Sequence, residues 1–178
     1  MLKRTLLALL AIVPLLALAG LATANSSVPQ QLREVERATS QFRDVANAEA
    51  AGYAELLDAQ QIACIDLPGV GGMGIHYVNG ALVSDTVLDP RTPEAMVYAP
   101  ARGDRLKLVA VEYIVFAEPW DAEHADPPSL FGVEFDLTPA GNRFGLPPFY
   151  ALHAWIWQHN PNGLFTPFNP TITCEFAP

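Results

Sequence analysis

The sequence predicts an α+β fold in which a long N-terminal amphipathic helix packs on a curved, largely antiparallel sheet. In residues 28–51, apolar side chains recur every three or four positions, the pattern of a helix with one buried face. Beyond residue 70, short aliphatic and aromatic segments alternate with turns rich in proline and glycine, which indicates strands. The helix has an apolar stripe to cover, and the sheet is the natural partner.

Local signals define the ends of the predicted helix. Ser27 and Gln30 have the spacing of a capping box, and Pro29 falls in the first turn, where proline is tolerated. Gly52 is a typical residue at a helix C-terminus. We therefore predict one continuous helix over 28–51.

Five segments have the composition of strands. Proline-containing turns such as Asp89-Pro90 and Pro147-Pro148 separate several of them. The last segment could instead be helical, but its aromatic content favours a strand. The predicted strands are 73–79, 95–99, 106–116, 132–137 and 149–158.

The first residues have the pattern of an export signal. Lys3 and Arg4 precede an apolar run from Leu6 to Leu21, and small residues at 22–24 suit a cleavage site. A retained membrane anchor is the alternative, although the run is short for a span. We predict a signal peptide over 1–24, a single globular domain over 25–178, a secreted or periplasmic location, and no stable membrane insertion after cleavage.

The chain is acidic, with a formal net charge of −9. Removal of the predicted signal peptide would take away two further positive charges, Lys3 and Arg4. Such a balance argues against nucleic acid or anionic lipid as a partner, because both attract basic surfaces.

The chain has two cysteines, Cys64 and Cys174. In an exported protein the simplest interpretation is one disulfide, which would close a loop of about 100 residues and contribute roughly 4–5 kcal/mol. Two soft metal ligands are the other interpretation. Neither cysteine belongs to a Cys-x-x-Cys or Cys/His cluster, so the disulfide is favoured.

Three predicted strands each carry one ionisable residue among apolar neighbours. These residues are His76, Glu112 and His153. Buried charges and imidazoles are costly unless they are paired, hydrogen-bonded or bound to a ligand. Because side chains alternate between the faces of a strand, the three could share one face, together with Leu108 and Ala110.

Two histidines and one carboxylate are a common ligand set for zinc or non-haem iron. We therefore predict that His76, Glu112 and His153 bind a divalent metal (Zn, Fe or Cu) or a small molecule. Trp155 and Trp157, on the same predicted face as His153, would line the ligand pocket and keep it dry. If the protein is an enzyme, metal-assisted hydrolysis or oxygen chemistry fits best.

Two other interpretations stay open. Each histidine could be an ordinary core residue bonded to a backbone carbonyl or a tyrosine. The protein could also be a non-catalytic envelope or extracellular interaction module, in which Trp120, Phe165 and Phe168 form an aromatic docking surface. An exposed apolar patch at these three residues would favour the second interpretation.

Several short segments together resemble an uncharacterised group of exported bacterial proteins. The matching segments are 43–46, 73–79, 111–113, 130–132, 145–161, 169–170 and Cys174, including the pattern Met-Gly-x-His-Tyr-Val-Asn. The resemblance implies export and a single domain, and it implies no particular activity.

Overall fold

The computed structural model describes residues 27–177. The predicted signal peptide, residues 1–24, therefore lies outside the described residues. Within the described part, no helix combines the length and the apolar character that a membrane span requires.

The first helical region is interrupted, so the prediction of one continuous helix is wrong. Helix α1 spans Val28–Thr39, a 3₁₀ turn spans Ser40–Arg43, and helix α2 spans Val45–Ala50. Asp44 separates them with an extended backbone, and its side chain accepts a hydrogen bond from the amide of Ala46. An aspartate that caps a new helix competes with continuation of the old one.

The described residues form a mixed fold built on an antiparallel sheet. Its strands pair in the order β1-β3-β4-β5-β9-β8, with β2 also paired to β3. These strands are β1 (Ala54–Glu55), β2 (Cys64–Leu67), β3 (Gly71–Val78), β4 (Ala95–Ala101), β5 (Arg105–Phe116), β8 (Asp136–Thr138) and β9 (Phe149–Ala154). Strands β6 (Ser129–Leu130) and β7 (Val133–Glu134) form a separate hairpin, and two short helices, α3 (Gly80–Val83) and α4 (Ala117–Glu123), complete the fold.

Two strand predictions need correction. The predicted strand 132–137 is split among β7, β8 and a turn, where Phe131 and Gly132 both have positive φ angles. The predicted strand 149–158 ends at Ala154, because the amide of Trp155 donates to Leu164 instead of continuing the ladder. The sheet is open and not strongly curved, which also differs from the prediction.

One face of the sheet packs against the helices, as the sequence predicts. Tyr77, Tyr113 and Tyr150 lie on this face, in the largest apolar cluster, together with Val35 and Phe42 from the helical region. The hydroxyl of Tyr98 donates to the backbone oxygen of Phe42, and the indole of Trp157 donates to Thr39. The polar tips of the aromatic side chains therefore fix the helical segment on the sheet.

A β-bulge in β5 changes the simple alternation of faces. Val97 pairs with Ala110 and Tyr98 pairs with Leu108, so Val109 is an extra residue. As a result Leu108 packs in the helix-side cluster, whereas Val109 and Ala110 pack together on the opposite side. The predicted common face of Leu108 and Glu112 is therefore wrong.

The chain after β9 covers part of the face opposite the helices. Ile172 packs there against Val97, Val109 and Trp155, and Asn169 forms a bridge with Gly72. Gly71 has φ +130°, and a Cβ at this position would lie 2.4 Å from the backbone oxygen of Asn169, so the contact requires glycine.

A disulfide joins Cys64 of β2 to Cys174 of this C-terminal segment, as predicted. The bond closes a loop with a sequence separation of 110. It ties the segment that covers the sheet to the strand at its edge.

We expect the Cys64→Ser/Cys174→Ser double variant to lose about 4–5 kcal/mol of unfolding free energy, because the unfolded chain regains the entropy of a long loop. Urea denaturation of this variant and of the unreduced protein measures the difference. Equal midpoints and slopes for the two proteins would contradict the expectation.

Candidate metal centre

Three strands of the sheet, β3, β5 and β9, bring His76, Glu112 and His153 into contact. Glu112 on β5 lies directly opposite His153 on β9. His76 on β3 is separated from them by β4, where Ala95 pairs with Glu112 and Val97 pairs with His76. Because Ala95 is small, the long side chain of Glu112 has room to extend across β4 toward His76.

The donor atoms of the three side chains are in close contact. The Nε2 atom of His76 lies 3.3 Å from Nε2 of His153 and 3.4 Å from Oε2 of Glu112. The Nδ1 atom of His153 lies 3.3 Å from Oε1 of Glu112. The two imidazole rings meet edge to face, with an interplanar angle of 88°. The convergence that the sequence could only suggest is therefore present.

These separations suit a metal ion. Each residue offers one ligand atom, and these atoms all lie within 4.8 Å of one another. Zinc–nitrogen and zinc–oxygen bonds of about 2.0–2.2 Å in a tetrahedral site place neighbouring ligand atoms about 3.4 Å apart. The two short contacts of His153 involve different ring nitrogens, so the side chains would have to adjust to bring one atom of each residue to a single ion. The group could then hold a divalent ion and would leave further coordination positions open.

The cluster is almost fully shielded from solvent. His76 and His153 are each 3% exposed, and Glu112 is 6% exposed. Burial raises the pKa of Glu112 to about 8, and the charge of Glu94 adds to this shift. Burial lowers the pKa of His76 to about 4, with a further contribution from Arg143, and it lowers the pKa of His153 well below its usual value.

Without a metal, all three groups are therefore neutral near pH 7. A carboxylic acid and two neutral imidazoles satisfy one another only in part, because Nδ1 of His76 is buried without a hydrogen-bond partner among the described residues. Unpaired buried nitrogens are uncommon and need an explanation. An ion bound through Nε2, the atom that contacts Glu112 and His153, would leave Nδ1 unpaired, so its partner would have to be a ligand or water atom beside His76.

A cavity of about 430 Å³ adjoins the cluster. His76, Glu112 and His153 belong to its wall, and the remaining wall is mostly apolar. The apolar wall residues include Val83, Ile114, Phe116, Phe144, Leu146 and Phe149. Cavities of this size hold small organic ligands in other proteins.

The two tryptophans predicted to line the pocket lie elsewhere. Trp155 packs against Val97, Val109 and Ile172, and its indole donates to the backbone oxygen of Thr166. It does stack beside His153, at 6.1 Å between ring centroids. Trp157 packs with the helix-side cluster, where Arg43 lies over its ring. Trp155 therefore shares the face of His153, as predicted, but does not line the cavity. Trp157 lies on the helix side, because the strand and its alternation end at Ala154.

The remaining histidines stay outside the cluster. His124 follows α4, is exposed, and stacks on Trp120. His159 is exposed as well. Neither histidine is therefore available as a fourth ligand in this conformation.

The aromatic docking surface of the alternative interpretation is not an exposed patch. Trp120 and Phe165 are only partly exposed and pack against the helix-side core, where Phe165 stacks on Phe131. Phe168 is also partly buried. The two buried histidines contact each other and Glu112 rather than backbone carbonyls.

Sequence reasoning missed two polar features near the cluster. Glu94 is 1% exposed and accepts a hydrogen bond from the amide of Ile114, and burial raises its pKa to about 8. Asp58 is buried and forms an ion pair with Arg143 at 2.7 Å. Glu94 directly precedes the apolar segment of β4, and Asp58 and Arg143 lie in two loops. The sequence signal used above, an ionisable residue within an apolar strand, therefore does not identify them.

Comparisons of the chain with known protein families, with curated proteins and with solved structures found no match. The function is therefore inferred from the chemistry of the cavity wall and of the three donor side chains.

Ala95 gives a direct test of how the cluster is assembled. We expect Ala95→Val to cost about 1–3 kcal/mol of stability through overpacking and to weaken zinc binding, because the added methyl groups obstruct Glu112. Ala154→Val, a change of equal size at an equally buried alanine on the helix side, is the matched control. Calorimetric zinc titration of both folded variants measures the difference, and equal affinities would contradict the assembly described.

The protonation of Glu112 predicts a pH dependence. Zinc must displace a proton from this carboxyl below about pH 8. The imidazoles carry no proton to displace in this range, because burial lowers the pKa of His76 to about 4 and the pKa of His153 well below its usual value. The apparent affinity should rise about tenfold per pH unit between about pH 6 and pH 8 and then level off, with one proton released per ion.

Titrations in buffers of different ionisation enthalpy measure this proton release. Affinity that is constant over the whole interval would mean that Glu112 is already ionised in the metal-free protein. In Glu112→Gln, any residual binding should lose this dependence on pH.

Proposed function

We propose that this protein is an exported divalent-metal-binding protein whose ion, held by His76, Glu112 and His153, faces a cavity for a small molecule. The single observation that carries the proposal is the approach of three donor atoms from three separate strands within 4.8 Å. The burial of all three side chains also supports the proposal, because ionisable groups are costly to bury unless they are paired or bound to a ligand.

The ligand set narrows the choice of metal. Two imidazoles and one carboxylate suit zinc, iron and copper, whereas magnesium and calcium prefer sites built from oxygen atoms. Three protein ligands also leave positions for water or substrate, which is the arrangement of catalytic sites rather than closed structural sites.

The surroundings of the site are compatible with catalysis. A divalent ion in this place would act as a Lewis acid on a bound oxygen or would lower the pKa of a bound water. The apolar wall excludes bulk water and strengthens electrostatic interactions at the ion. Metal-assisted hydrolysis and oxygen chemistry are the reaction classes that we propose to test first.

Export is part of the proposal. The predicted signal peptide, the disulfide between Cys64 and Cys174, and the resemblance to exported bacterial proteins support a periplasmic or extracellular location. The disulfide is the structural contribution to this argument, since such bonds persist mainly in oxidising compartments.

Metal binding can be measured directly. We expect the purified protein to bind one zinc or ferrous ion per chain, and we expect His153→Ala and Glu112→Gln each to weaken binding by at least about 100-fold, since they remove a ligand. Elemental analysis after dialysis and isothermal titration provide the stoichiometry and the affinity.

The exposed histidines supply matched controls. His124→Ala and His159→Ala remove the same type of side chain outside the cluster and should leave metal affinity unchanged. Protein that stays metal-free after incubation with zinc, iron and copper would overturn the proposal, and so would binding that depends on His124 or His159 instead.

A further inference from the structure

The polar groups of the cavity are unevenly distributed. Among the described residues, the buried polar side chains of the wall are His76, Glu112 and His153. The wall residues Glu55, Ser84 and Asp136 are exposed and form part of the solvent-facing rim, with Glu55 on β1 and Asp136 on β8 toward opposite edges of the sheet. A molecule inside thus meets polar atoms at its inner end and at the opening, with apolar contacts between.

The charges at the opening have one sign. Glu55 and Asp136 are acidic, and no lysine or arginine belongs to the cavity wall among the described residues. In the metal-free protein, an anionic ligand would leave water without a cationic side chain in the cavity wall and would approach two carboxylates, which is unfavourable. The net charge of −9 acts in the same direction over longer distances.

The wall also favours rings over flexible chains. Phe116, Phe144 and Phe149 contribute aromatic surface, and the rings of Phe144 and Phe149 are tilted to each other by 57° at a centroid distance of 6.3 Å. Aromatic side chains in this tilted arrangement offer both faces and edges to a flat ligand. Burial of a ring against them gains free energy in proportion to the apolar area removed from water.

We propose that the cavity takes an uncharged, ring-containing apolar molecule whose one oxygen or nitrogen donor reaches the metal cluster. This inference rests on the proposed function, since it assigns the occupant of the same cavity. The donor end of the molecule would lie beside His76, and the apolar body would contact the phenylalanine wall. The metal-free protein excludes anionic molecules of the same shape.

Two fluorescent dyes with the same ring system test the preference for an uncharged ligand. N-phenyl-1-naphthylamine is uncharged, and 8-anilinonaphthalene-1-sulfonate carries the same rings with one sulfonate. In the metal-free protein we expect one molecule of the uncharged dye per chain, bound at least about tenfold more tightly than the sulfonate. Equal affinities, or tighter binding of the sulfonate, would overturn the inference.

Variants locate the bound dye. Ala151→Phe places a ring inside the cavity and should abolish binding of the uncharged dye, whereas Val87→Phe adds the same ring at an exposed site and should not. Should Ala151→Phe fail to fold, Phe144→Ala against Phe165→Ala gives the same comparison, with weaker binding expected only for Phe144→Ala. Binding that is insensitive to the cavity variants would contradict the assignment.

Charge reversal at Asp136 tests whether the acidic residues at the opening disfavour anionic ligands. Asp136→Lys should raise the affinity for the sulfonate and leave the uncharged dye unaffected, so that the preference between the dyes becomes smaller. Because these titrations use metal-free protein, they are independent of zinc binding. Failure of zinc to bind would refute the proposed function, whereas failure of the dye preference would refute only the ligand class.

Discussion

The concentration of ionisable groups in the sheet interior is the constraint on which the site depends. His76, Glu112 and His153 are nearly inaccessible to water, and no lysine or arginine forms an ion pair with Glu112 among the described residues. Burial shifts each pKa toward the neutral form. Three ionisable groups in contact in the interior make the fold less stable than well-packed apolar side chains of similar volume would make it.

The rest of the fold makes this arrangement possible. The helices and the tyrosine-rich face provide the main core, so the opposite face is free to contain polar residues and a cavity. On that face, Val97, Val109 and Trp155 pack on one side of the cluster, and Val83, Ile114 and Phe149 pack on the other. The small side chain of Ala95 lets groups from nonadjacent strands meet between these two apolar regions.

The loops around the cavity are held by polar contacts. The ion pair of Asp58 with Arg143 joins the loop after β1 to the loop before β9, and each loop contributes wall residues, Leu56 and Phe144 among them. The amide of Ala59 also donates to the backbone oxygen of Arg143. These contacts orient the opening of the cavity, whereas the sheet orients the side formed by His76, Glu112 and His153. The two ends of the cavity are thus positioned by different parts of the chain.

The sequence by itself determined the mixed helix and sheet fold, the disulfide and the three members of the cluster, because these depend on local periodicity and on residue types that are costly to bury. Only the tertiary structure decided the break at Asp44, the bulge at Val109 and the exclusion of Trp155 and Trp157 from the cavity. The break at Asp44 follows from a local hydrogen bond with the amide of Ala46, which the apolar periodicity of 28–51 does not reveal. The bulge and the positions of the tryptophans depend on contacts with distant segments, and a one-residue change in strand register reverses which face a side chain occupies. The cavity wall has the same origin, since Phe144 and Leu146 come from a loop whose position no local pattern encodes.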